Sequence, residues 1–297
     1  MKFKGHETFF IRKGWLSKGM KNIKANPILF VDKENNPMDE LGLGSNMVKS
    51  LRYWLLATGL TEEKIINKKR QQKLTSDFGQ IIFENDRYLE EIGTLHLIQY
   101  KLACNKKDAT SWFYFFNKFN MTEFTREDFI VEINKFLKEE NAVLPATSSL
   151  TDDFNCIVNT YLPRYKLQNK ESNPENNIDC PLGELNLIDI VNKKKGIVFY
   201  KKSSPLMSSF NPWIILAIIN DNAQGKTEIK LNDLLTSEKN IGKVFNLDST
   251  KMLELLHEIE KRELLKIIRT SGLDVIQLKK SYSFEDCVRN YYKEIAS

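Results

Sequence analysis

Between residues 45 and 58, Met47, Leu51, Trp54 and Leu55 fall on one face at helical spacing, while Ser45, Lys49, Arg52 and Tyr53 fall on the other with Asn46 beside them. Ser45 is placed to cap this helix, and Gly59 stands where a helix favours a left-handed residue. A short amphipathic piece at 38–43 precedes it through Gly42 and Gly44. A short helix, a glycine turn and a second helix with a polar, basic outer face predict a helix-turn-helix. Just downstream, 64–73 is strand-like and carries Lys64, Lys68, Lys69, Arg70 and Lys73 with no acid, as a hairpin wing lying beside DNA would. Thr75 then opens a further helix. The competing reading of the same pattern is a core helix followed by a solvated charge run.

Residues 1–12 read as extended and 13–24 as a first helix before Pro27, so that 1–85 forms a winged-helix-like DNA-binding unit. The stretches 93–102 and 111–116 are apolar almost throughout and fit strands or buried helices equally well. Thr125 caps a helix reaching Glu140 and Thr151 another reaching Tyr161, which makes 86–167 a mainly helical middle region. Residues 168–180 are polar, rich in Asn and without periodicity, the composition of a linker. Beyond it come a strand at 196–200, helices at 213–220, 231–236 and from Asp248 to about Arg262, and a hairpin pairing 265–269 with 275–278. That order predicts a C-terminal winged-helix domain over 181–297. Its third helix exposes Lys251 and Lys261 beside Glu254 and Glu258; carboxylates are repelled by phosphates, so this unit is expected to pack internally or bind protein. The fold class expected is mainly α (α+β).

The chain has 297 residues, 41% hydrophobic and 28% charged, a profile of folded rather than disordered protein. No apolar run reaches the ~18 residues a membrane helix needs, and the N-terminus lacks a signal peptide's apolar centre. A cytoplasmic protein without a membrane partner is expected. Cys104, Cys156, Cys180 and Cys287 are scattered, with neither zinc spacing nor disulfide density, and read as reduced and structural. The net charge of +5 is mild, but its distribution is not. Residues 1–24 hold Lys2, Lys4, Arg12, Lys13, Lys18, Lys21 and Lys24 against the single acid Glu7. Together with 64–73 this concentrates positive charge in the N-terminal quarter, as a face for double-stranded DNA would.

Candidate chemistry is densest in the same quarter. His6 could shuttle a proton or bind a metal, and Glu7 could do either. Arg12, Lys13 and Lys18 could hold a phosphodiester and steady charge building at phosphorus. Phe3, Phe9, Trp15 and Leu16 would anchor the segment, and a structural His6 is the competing reading. Gly42-Leu-Gly44 lacks the strand–turn–helix context of a dinucleotide site and is better read as a turn. Asp221 with Glu228-Ile-Lys230 partly matches the acid and Glu-x-Lys set of metal-dependent nucleases, but is placed in a polar loop. His96 reads as a core histidine and His257 as solvated.

Phe3, His6-Glu7-Thr8-Phe9, Arg12, Trp15-Leu16 and Lys18-Gly19, then Leu41-Gly42, Gly44, Asn46-Met47-Val48, Arg52-Tyr53-Trp54, Ala57 and Gly59-Leu60, together resemble the motifs of a bacterial family of domain-of-unknown-function proteins. Gly93-Thr94-Leu95, Trp112, Phe116-Asn117, Pro181-Leu182, Glu184-Leu185 and Leu187-Ile188 extend the likeness over residues 3–190. It departs at Cys180 and His96, where Ser and Trp would be expected. The resemblance implies the DNA-nicking subunit of single-strand phosphorothioate modification systems used in anti-phage defence. Its implied partners are a sulfur-transfer enzyme of the adenosine-phosphosulfate reductase type and an ATPase. Such a protein would cut one strand so that sulfur can replace a non-bridging phosphate oxygen, with Mg²⁺ or Mn²⁺ and no organic cofactor. On this reading His6, Glu7 and Arg12 are the catalytic candidates. Lys13, Lys18, Ser45, Asn46, Lys49, Arg52, Lys68, Lys69 and Arg70 would contact DNA. The alternative is a non-catalytic DNA-binding adaptor or regulator that recruits modification or nuclease partners.

Overall fold

The structure, a computed structural model, describes all residues except 33, 67, 163–179 and 271–272. The described residues are mainly helical, with three small antiparallel sheets among them. The chain opens with helix α1 (Trp15–Ala25), α2 (Pro37–Leu41) and α3 (Ser45–Ala57), followed by a two-stranded hairpin of β1 (Thr61–Ile66) and β2 (Lys69–Leu74). Asn36 caps α2 through Met38 N, with Pro37 supplying the fixed φ of a first turn. Gly42 (φ 58°) then reverses the chain in a conformation glycine adopts without steric cost.

Ser45 does not cap α3. Gly44 holds the cap position, and Ser45 is the helix's first, exposed residue. Tyr53 was placed on the outer face by spacing, yet it is 4% exposed because the N-terminal loop lies over it. That loop is turn-rich rather than extended: Lys4, Glu7 and Thr8 all take positive φ.

Helices α4 (Gly79–Asn85), α5 (Ile92–Cys104), α6 (Thr110–Asn117), α7 (Arg126–Glu139) and α8 (Thr147–Tyr161) come next, with the short strand β3 (Glu123–Phe124) before α7. The two ambiguous apolar stretches are therefore helices. Periodicity is weak in α5 because it is enclosed on several sides, and every residue of α6 is buried. Thr125 and Asp128 form the expected capping box of α7. Thr151, by contrast, lies inside α8, where its hydroxyl bonds back to Thr147 O.

After a short turn at Pro181–Leu185, β4 (Ile188–Lys194) and β5 (Ile197–Lys202) form a hairpin whose inner strand also takes β3, with Phe124 opposite Tyr200. The second half continues with α9 (Pro212–Ala223), β6 (Glu228–Lys230), α10 (Leu231–Thr236), α11 (Ile241–Val244), α12 (Ser249–Lys261), β7 (Leu265–Thr270), β8 (Leu273–Leu278) and α13 (Phe284–Ile295). Asp248 caps α12 as expected. Residues 228–230 are not a loop but an edge strand on β8. Of the linker stretch 168–180, residues 168–179 lie outside the described residues, and Cys180 is buried. Among the described residues no disulfide is formed.

One buried apolar cluster runs from Ile11 to Tyr292 and joins both halves. Phe78 meets Phe284 edge to face, Thr94 Oγ1 and Tyr292 Oη share a buried hydrogen bond of 2.5 Å, and Tyr161 Oη donates to Gln99 Oε1. His96 sits in this core, stacked on Phe210 at 4.2 Å, and burial pushes it down to about 3, so it is neutral.

Lys202 tethers the small sheet to the helices. Its stem is partly exposed, but its ammonium donates to Phe115 O and Phe119 O at the C-terminal end of α6. Burial, with Lys243 nearby, pushes this amine down from 10.5 to about 7. Between those values the unfolded chain binds the proton that the folded chain has released, so stability should rise with pH across that window. The expected result is that the urea midpoint of the protein, measured relative to Lys202→Met, climbs from neutral pH towards 10. A constant difference between the two would refute the assignment.

Candidate nucleic-acid interface

The N-terminal loop is fixed by polar contacts to three helices. Asp153 on α8, 2% exposed, is the hub: Oδ1 accepts from the Lys4 backbone N–H at 2.8 Å and from His6 Nε2 at 2.8 Å, and Oδ2 accepts from Ser111 Oγ at 2.5 Å. His6 Nδ1 accepts from Thr8 N at 3.1 Å, which places the ring's proton on Nε2 and leaves it neutral. The imidazole is 0% exposed and surrounded by Trp54, Trp112 and Tyr53 at centroid distances of 5.7–6.2 Å. Phe9 O accepts from Trp54 Nε1 at 2.9 Å and from Ser50 Oγ at 3.3 Å, and Lys2 N donates to Thr110 Oγ1. His6 therefore holds the loop in place. Both of its nitrogens are engaged within the protein.

Close packing fixes the same loop. A Cβ on Gly5 would stand 2.4 Å from Tyr53 Cδ2, so only glycine lets the chain lie on that ring. The result is that Glu7, next to the enclosed histidine, turns outward in the left-handed region (φ 48°).

Glu7 lines a groove of about 530 Å³ whose other walls are α3 and the β1–β2 hairpin. From α3 come Lys49, Arg52, Tyr53 and Leu56, one face at helical spacing. The hairpin adds Glu63, Lys64, Ile65 and Arg70, and the N-terminal loop adds Lys2, Gly5 and Glu7. Cations thus outnumber carboxylates, with Lys2, Lys49, Arg52, Lys64 and Arg70 set against Glu7 and Glu63. Arg52 Nε donates to Glu63 Oε1 at 2.6 Å, and Arg70 Nε lies 4.0 Å from Glu63 Oε2. One carboxylate thereby orients two guanidinium groups towards the same space. Lys49 is exposed, and among the described residues neither it nor the carboxylate of Glu7 has an ion-pair partner. Burial raises the Tyr53 phenol, so that ring stays neutral as the floor of the groove.

Several sequence candidates meet here: Glu7, Lys49, Arg52 and Arg70. Asn46 and Ser45 are exposed at the start of α3. Lys68 and Lys69 lie on the far side of the hairpin, where with Arg70 they face Asp32 and Glu34 across a second cleft. Asp32 is held down at about 2 by hydrogen bonds from Glu34 N and the amides of Asn26 and Asn35. Lys18 donates to Leu41 O at 3.0 Å and so satisfies the end of α2. Arg12 lies over Phe9 and Trp15, and with Lys13 lines a separate cleft beside Tyr88 and Glu184. Arg12 and Lys13 are therefore not among the residues lining the groove. Sequence reasoning passed over Glu63 and Ile65 and took Tyr53 only as part of the outer face; Lys2 and Lys64 enter it only as charge, and nothing local marks Glu63 as the partner of Arg52.

Among the described residues no three His, Cys, Asp or Glu side chains gather as metal ligands, and no helix is long and apolar enough to cross a membrane. Asp221 accepts from Tyr100 Oη at 2.7 Å and from Lys101 Nζ, so it is engaged in packing the halves together.

The family described as "Protein of unknown function (DUF4007)" matches residues 3–292. Two solved structures are similar throughout. "Magnesium ion-bound SspB crystal structure" has 24% identity and a TM-score of 0.82, with 99% of this chain and 94% of that one covered. "SspB crystal structure" has 24% identity and a TM-score of 0.85, with 100% and 89% covered. No curated protein matches the chain.

Proposed function

We propose that this chain, which belongs to the DUF4007 family of proteins of unknown function, is a DNA-binding nicking component of a DNA phosphorothioate modification system in phage defence. It would cut one strand so that sulfur can enter the backbone, alongside a sulfur-transfer enzyme and an ATPase. The observation that carries this reading is the groove in which Lys49, Arg52 and Arg70 flank Glu7. In this reading α1–α3 and the β1–β2 hairpin act as a winged helix, with Asn46 and Lys49 entering the major groove and the hairpin lying on the backbone. The unit over 181–297 acts as a second winged helix that packs rather than reads DNA.

Glu7 is the acid whose position suits chemistry on a bound phosphodiester. The Arg52 guanidinium would fix the phosphate and stabilise charge developing on its oxygens. A divalent ion commonly takes one or two carboxylates and completes its shell with substrate phosphate and water, and Glu7 with a DNA phosphate fits that pattern. When bound, Mg²⁺ or Mn²⁺ would supply Lewis acidity at phosphorus. Supercoiled plasmid incubated with the protein and Mg²⁺ or Mn²⁺ is expected to become open circular. Glu7→Gln should slow this at least ~100-fold, as removal of an acid–base group does, with DNA affinity retained.

A second reading is a non-catalytic adaptor. The enclosure of His6 and the outward placement of Arg12 favour it, since of the three catalytic candidates Glu7 alone reaches the groove. Supercoils that persist while the plasmid's mobility shifts would select it.

A further inference from the structure

Along β1, Thr61, Glu63 and Ile65 point to the groove side, because alternate residues of a strand share a face. Exposure rises outward, from 3% at Thr61 to 76% at Ile65. Arg70 stands directly opposite Ile65 in the strand register, and both line the groove. The other face of the hairpin carries Glu62, Ile66, Gln71 and Lys73, and Lys64 lines the space on both sides. The outer end of the groove wall is thus an aliphatic side chain beside a guanidinium, flanked by Lys64, Lys68 and Lys69. Strand propensity alone does not call for Ile there, since Thr would serve a solvated strand equally well. An apolar group held out among cations gives up burial in the free protein and regains it only against a partner that also attracts cations.

Resting on the interface reading above, we propose that Ile65 and Arg70 form a minor-groove wedge. With α3 in the major groove, the hairpin beside it meets the adjacent minor groove. Ile65 stands four residues beyond the buried Thr61, ~13 Å along the strand at about 3.3 Å per residue. Arg70 follows the negative potential of a narrow A·T-rich groove, and Ile65 presses against the sugars and base edges, opening a step and bending the duplex. The duplex recognised would therefore be one that bends easily at an A·T-rich segment next to the site read by α3.

The test compares the protein with Ile65→Ala and Ile65→Thr on two labelled duplexes, one alternating A·T and one G·C, by anisotropy and end-to-end energy transfer. Because the side chain is exposed, both variants should melt as the parent does. Expected for each variant is a loss of about 5–10-fold in affinity for the A·T duplex and a smaller bend. The slope of affinity against salt should be unchanged, because no phosphate contact is removed. A parent protein that binds DNA alongside variants of equal affinity and bend overturns the wedge alone. An equal loss on both duplexes with no change in bend also overturns it. If the parent binds neither duplex, the interface reading falls and the wedge with it.

Discussion

Lys49→Glu combined with Arg70→Glu is expected to weaken duplex DNA binding by at least ~100-fold and to abolish any nicking. The two residues approach the groove from different elements, Lys49 from α3 and Arg70 from the hairpin, so a duplex filling it must meet both. Each phosphate-directed cation contributes about 1–2 kcal/mol to binding, and reversing two of them crosses two powers of ten. The dependence of log affinity on log salt should fall by about 2, near 0.9 for each lost contact. Both side chains are exposed, so the melting temperature should barely change. Arg52 is the wrong choice for this experiment. It is half-buried and bonded to Glu63 at 2.6 Å, against 4.0 Å for the exposed Arg70, so Arg52→Glu would force the closer pair of carboxylates and disturb the wall itself. An unaltered affinity in the double variant, with the fold intact, would remove the groove from consideration.

Asp153→Ala should be the most damaging single substitution in the N-terminal half. It deletes the shared acceptor of Lys4 N, His6 Nε2 and Ser111 Oγ inside a site that water does not reach. Three donors left unpaired in such a place, at about 1–3 kcal/mol each, cost about 3–5 kcal/mol. For a chain of this size that is a fall of roughly 5–8 °C in melting temperature. The more specific sign is local. Protease should cut within residues 1–14 before the rest unfolds, and DNA binding should weaken because Lys2 and Glu7 lose their positions. A variant with parental melting and parental protease resistance would show that the loop is held by its aromatic packing alone. His6→Ala should follow Asp153→Ala in kind but be milder, since two of the three donors keep their acceptor.

The elements were legible in the sequence where local signals and packing agreed. The α2–turn–α3 unit, the cationic hairpin, the capping box at Thr125 and the Asp248 cap were all readable from spacing. Periodicity failed at α5 and α6 because helices enclosed on all sides have no polar face to break the apolar run. α13 was overlooked although Ser283 and Asp286 form a capping box before it. The pairing of β3 with β5 was beyond reach, as a two-residue strand leaves no pattern. The site was half legible. Its charges could be counted, but partners such as Glu63 for Arg52, or Asp153 for His6 across 147 residues, are set by tertiary placement. Reading 1–12 as extended hid the most informative contrast, the enclosed His6 beside the outward Glu7. A turn there needed the close approach of Gly5 to Tyr53, which no local rule encodes.

The contacts of α13 with the first half carry a consequence for how the polypeptide is made. Phe284 lies on Phe78, Tyr292 bonds Thr94, and Gly93 has no Cβ because Tyr291 occupies that space at about 2.4 Å. A nascent chain leaving the ribosome therefore exhibits α4 and α5 with bare apolar sides until residues 284–295 emerge. Maturation of the first half waits on α13, and a chain halted before residue 284 should be captured by chaperones rather than released folded.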